Sequence, residues 1–108
     1  MILTAISGSG PAYVFAMTEA LTEAGRELGL TQEVAAKLAR TMISGSGDLL
    51  RSSSLSPASL RNEVTSPNGT TDAGLQELMS RENGMFPLIQ KTAQAAHNRS
   101  IELSQPDL

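Results

Sequence analysis

Apolar residues recur along this chain at spacings of three and four, the repeat of an α-helix with one side turned to a core. Val14, Met17, Leu21, Ala24 and Leu28 form one such stripe and predict a helix over residues 11–28. Tyr13, Phe15, Ala16 and Ala20 widen it to a second face, which is more than one hairpin partner can cover. Ser9 or Gly10 is the expected cap, with Pro11 at the first helical position and Gly29 as a left-handed stop. Thr31 then caps a second helix, in which Glu33 and Lys37 stand one turn apart as a favourable pair. Its expected buried face is Val34, Leu38, Met42, Leu49 and Leu50, with Ala35, Ala39 and Ile43 alongside. The polar run Arg51-Ser52-Ser53-Ser54 ends it.

Ser44-Gly45-Ser46-Gly47 lies inside that second pattern. Each helical glycine costs about 1 kcal/mol relative to alanine. A helix that carries two of them uses the missing side chains for close backbone approach. A flexible linker is the alternative.

Ser56-Pro57 starts a short third helix that reaches residue 64. A fourth, over residues 72–81, buries Leu75, Leu78 and Met79 and stops at Asn83-Gly84. Phe86-Pro87 opens a fifth, whose inner stripe is Leu88 or Ile89, Thr92, Ala96 and Leu103, with Ala93 and Ala95 beside it. Residues 105–108 are expected to fray. The lead-in Ile2-Leu3-Thr4-Ala5-Ile6 reads as the end of a linker or strand. No other stretch suggests a strand, so the expectation is an all-α domain of five helices, two of them long.

Composition narrows the function classes. A chain of 108 residues is one domain, with two Phe, one Tyr and no Trp to fill its core. Ala, Leu, Met and Ile must do the packing, which favours closely approached helices. The net charge of −3, with eight scattered basic residues, argues against a nucleic-acid surface. Cysteine is absent, which excludes disulfides and thiolate chemistry. The longest apolar run, residues 12–17, is too short to span a bilayer, and no secretory signal pattern opens the chain. The default expectation is a soluble cytoplasmic protein.

The most distinctive stretch is Thr65-Ser66-Pro67-Asn68-Gly69-Thr70-Thr71. Pro67 fixes its own φ and pushes Ser66 toward extended backbone, so the preceding helix must stop. Asn68 and Gly69 tolerate the positive φ that a tight turn requires. Thr70 or Thr71 then caps the next helix through its hydroxyl, with Asp72 favoured in the first turn by the dipole. Unpaired N–H groups beside the hydroxyls of Ser66, Thr70 and Thr71 would hold a small anion, a carboxylate or phosphate. A plain loop and cap is the other reading.

Two glycines in Ser7-Gly8-Ser9-Gly10 suggest a phosphate cradle, but neither the lysine of a nucleotide loop nor a third spaced glycine follows. His97, the only histidine, has no carboxylate or second donor at ligand spacing and reads as a surface or packing residue. No donor cluster suits a metal. Glu19, Glu23 and Glu27 read as a solvated face.

Ser7-Gly8-Ser9-Gly10-Pro11-Ala12-Tyr13, the pair Glu63-Val64, residues 65–71 and Gly74-Leu75 together resemble pyrroline-5-carboxylate reductase, in order and over residues 4–104. The resemblance is to the C-terminal half of that family alone. The family places an NAD(P)H-binding Rossmann domain before this region. No glycine-rich strand–turn–helix pattern precedes Ile2 here, and the expectation is an excised or truncated dimerisation and substrate-binding domain without it. The resemblance implies an all-helical fold interlocked with a second copy in a homodimer, and often further assembly into decamers. It implies reduction of 1-pyrroline-5-carboxylate to L-proline with NADPH or NADH, which this domain alone does not bind. Ser66, Asn68, Gly69, Thr70 and Thr71 fall on substrate-binding positions. Ser66, Gly69 and Thr70 meet the carboxylate, and Thr71, the expected catalytic residue, meets the ring nitrogen. Many members carry glycine where this chain has Asn68, and asparagine is expected to preserve the turn. No nucleic acid, membrane or metal is implied. The rival reading is a stand-alone helical dimerisation module without catalytic duty.

Overall fold

Helices α1 (Gly10–Glu27) and α2 (Gln32–Ser52) are joined by a turn whose chemistry is visible in its residues. At the end of α1 the Gly29 N–H donates to the Arg26 carbonyl and the Leu30 N–H to the Gly25 carbonyl, each at 3.0 Å. That paired closure requires a left-handed residue, and Gly29 takes φ 113°. Two residues on, the Thr31 hydroxyl accepts from the Val34 N–H at 3.3 Å and starts α2. The helix then runs unbroken through Gly45 and Gly47, as expected. The computed structural model describes residues 2–105, and the expected fraying of residues 106–108 lies outside them.

The described residues form two units, and this helical pair, Gly10–Leu55, is one of them. The pair is joined along a seam of small side chains. Thr22 on α1 and Ala35 and Ala39 on α2 are buried, and a Cβ on Gly25 would lie 3.2 Å from that of Ala35. The expected stripes lie elsewhere, which corrects the sequence reading. Leu28 is 88% exposed, Leu38 57% and Leu49 56%, and Val14, Leu21, Val34, Met42 and Leu50 are also open to solvent. Small residues let the two backbones approach closely, and the large apolar side chains then point away from the seam. Nor does the close approach expected at Gly45 and Gly47 occur within the chain, for a Cβ on either would meet nothing within 4 Å.

The second unit joins residues 2–9 to residues 56–105. The lead-in is neither strand nor linker. It is helical, and over Thr4–Gly8 it widens to a π-helical turn closed by the Ser9 N–H on the Thr4 carbonyl at 2.8 Å. This segment packs on α5 (Met85–Ser104), and Ala5, 3% exposed, is small enough to be buried there. Helix α3 (Pro57–Glu63) opens as read, with the Ser56 hydroxyl accepting from the Ser59 N–H at 3.1 Å. Helix α4 (Thr70–Leu78) begins and ends earlier than expected. Beyond it Ser80 organises the link to α5, its hydroxyl oxygen accepting from the N–H groups of Glu82 and Asn83.

Gly84 is buried with φ −92°, so sterics and not backbone freedom select it: a Cβ there would collide with the carbonyls of Leu78 and Ser80. Leu75 and Met79 are half-buried, whereas Leu78, Leu88 and Leu103 are exposed. His97 is half-buried beside Ile2, Leu3, Thr4 and Ile101, and its Nδ1 is buried without a hydrogen-bond partner among the described residues. That is the setting of a packing residue.

Candidate functional site

The stretch between α3 and α4 folds into a tight turn followed directly by a helix start. Pro67 supplies the restricted φ at the second position, Asn68 takes φ 61° at the third, and the Gly69 N–H closes the turn on the Ser66 carbonyl at 3.1 Å. A proline followed by a left-handed residue makes this a type II turn. Before it, the Thr65 hydroxyl donates to the Arg61 carbonyl at 2.6 Å and ties the turn back to α3.

Two details differ from the sequence reading. Gly69 is not left-handed: with φ −89° and ψ −171° it is the N-cap of α4, and it lies close to the Ser66 carbonyl, 3.3 Å from where its Cβ would stand. Neither Thr70 nor Thr71 is therefore the cap, since both are already helical. Their hydroxyls and that of Ser66 are exposed and uncommitted among the described residues.

A further role was not foreseen for Asp72. Its Oδ2 accepts from the Asn68 N–H at 3.0 Å, so the carboxylate reaches back from the third helical position to hold the turn. The carboxylate stands at the third helical position, as in a capping box, but accepts from the residue before the cap, because the Gly69 N–H is already committed to the Ser66 carbonyl. An acidic residue four positions after the turn asparagine was the available signal.

The N–H groups of Thr70, Thr71 and Asp72 have no acceptor among the described residues, because the carbonyls one turn back lie outside the helix. Three N–H groups at the positive end of α4, with three hydroxyls beside them, suit a carboxylate. No group of three or more metal-binding side chains occurs among the described residues. No helix among them is long and apolar enough to cross a membrane.

Residues 1–103 match the family described as pyrroline-5-carboxylate reductase dimerisation. The chain belongs to this family. The pyrroline-5-carboxylate reductase of Pseudomonas aeruginosa is 44% identical over 103 residues, which are 95% of this chain and 37% of that protein. The chain thus spans a little over a third of the length of that relative. A pyrroline-5-carboxylate reductase structure from Coxiella burnetii superposes with a TM-score of 0.89 at 41% identity, covering 97% of this chain and 38% of the other. A pyrroline carboxylate reductase structure from Plasmodium falciparum, with NADP bound, gives 0.88 at 34% identity, over 96% and 39%. As a pyrroline-5-carboxylate reductase dimerisation domain, the all-helical chain has a fold in agreement with its sequence pattern.

Proposed function

We propose that this chain is the dimerisation and substrate-binding part of a reductase that converts 1-pyrroline-5-carboxylate to L-proline in proline biosynthesis. The observation that supports the reading is the turn at Asn68 followed directly by α4. It leaves the N–H groups of Thr70, Thr71 and Asp72 without an acceptor among the described residues, and Ser66, Thr70 and Thr71 exposed in the same stretch. In this reading the substrate carboxylate lies against the N–H groups at the head of α4 and the Ser66 and Thr70 hydroxyls. Asn68 and Gly69 contribute backbone to the same binding loop. Thr71 is the catalytic residue. Its hydroxyl donates to the ring nitrogen, which gains basicity as the C=N bond is reduced to an amine.

NADPH or NADH supplies the hydride from a nucleotide-binding domain of the complete reductase, and none of the residues described above is assigned to it. The partner is a second copy of the chain, in a cytoplasmic homodimer that can assemble further into a decamer, with no nucleic-acid or membrane partner. The exposed stripes of α1 and α2 support the second copy.

The test is reconstitution. The purified 108-residue chain, given NADPH and pyrroline-5-carboxylate, is expected to oxidise no cofactor above a heat-killed control. Joined to the remainder of the Pseudomonas aeruginosa relative in place of that protein's own matching region, it is expected to restore substrate-dependent oxidation. Oxidation by the 108 residues alone, or a well-folded chimera without activity, overturns the reading.

A further inference from the structure

We infer that Asp72 is a positioning residue for the substrate carboxylate, acting through Asn68, whose left-handed backbone it holds. The inference rests on the reading of this loop as the substrate site. A non-glycine residue at φ 61° is uncommon and needs its surroundings to fix it. Here the fixing bond is the Asn68 N–H donating to Asp72 Oδ2 at 3.0 Å. Gly69, as cap, contributes no side chain, and neither Thr70 nor Thr71 replaces one. Among the described residues, Asp72 is thus the side chain that ties the middle of the turn to α4.

The device carries a cost that makes it testable. A carboxylate in the first turn favours the helix, but it places a negative charge beside the point where a carboxylate ligand would lie. The acceptor and the charge therefore act on the ligand with opposite signs. Asp72→Ala removes both, whereas Asp72→Asn keeps an acceptor oxygen and removes the charge. Asn68→Gly removes the need for the hold, because glycine takes positive φ without a steric penalty.

The experiment uses the ¹⁵N-labelled 108-residue chain and L-proline as the probe. The intraresidue HN–Hα NOE of Asn68, strong at positive φ, reports the turn, and the amide shifts of Thr70 and Thr71 report binding. Asp72→Ala is expected to lose the NOE and to weaken proline binding about tenfold, the scale of one lost hydrogen bond. Asp72→Asn is expected to retain the NOE and bind at least as tightly as wild type. Adding Asn68→Gly to Asp72→Ala is expected to restore binding. An Asp72→Ala chain with the NOE and affinity of wild type overturns the inference. A wild-type chain that ignores proline overturns the substrate reading instead. The positioning role falls with that reading, and the NOE then tests the hold on the turn by itself: loss in Asp72→Ala with retention in Asp72→Asn upholds the hold, and retention in both overturns it.

Discussion

Gly25 of α1 faces Ala35 of α2 so closely that a Cβ on the glycine would stand 3.2 Å from the alanine methyl carbon. This contact explains why the hairpin of α1 and α2 is joined by its small residues and leaves its large ones outside. Gly25→Val should force the two backbones apart and destabilise the chain by about 1–3 kcal/mol, the usual range for overpacking. Gly45→Ala, with open space around it, should stabilise α2 by about 1 kcal/mol unless a partner needs that space. Urea unfolding of both variants checks the contrast.

Association follows from the same arrangement. With Leu38 57% exposed and Leu49 56%, the chain should pair with a second copy across an interface of more than about 2,000 Å². Sedimentation at micromolar concentration should show a species of twice the 11.3 kDa chain mass. Leu38→Glu should shift it to the single chain. Finding only 11.3 kDa material in the wild type would contradict the account.

Gly84 gives a sharper stability test. A methyl group there would run into backbone carbonyls, not flexible side chains, so the α4–α5 link must move to admit it. Gly84→Ala should cost about 2 kcal/mol or more, from the clash and from alanine's poorer fit at the N-cap of α5. A melting temperature equal to that of wild type would show that the link yields freely.

What could be read from residues alone was chiefly local. Thr31, Ser56 and Gly29 each act through a bond to a near neighbour, so spacing reveals them. Which face is buried was less legible, because a stripe meant for a second copy and one meant for the chain's own core share the same period. Ala35 and Ala39 were seen, but as flanking residues, although they form the seam itself. At the site, the turn at Asn68 was legible from Pro67. The cap was misplaced because Gly69, Thr70 and Thr71 are all acceptable cap residues, and only the backbone angles choose among them. Asp72 was expected to favour the helix dipole, while its bond to Asn68 became visible only in three dimensions.

If, as proposed, the loop before α4 binds a cyclic imine and the Thr71 hydroxyl donates to its ring nitrogen, the decisive variant is Thr71→Ala. Because Gly69 is the cap, Thr71→Ala removes no capping bond, and its melting temperature should stay close to that of wild type. In the chimera with the remainder of the Pseudomonas aeruginosa relative, the same substitution should lower kcat by roughly 10²-fold, as for a lost acid–base partner. KM should change much less, since the N–H groups of the loop remain. An unchanged kcat in a fully folded Thr71→Ala chimera would contradict the account.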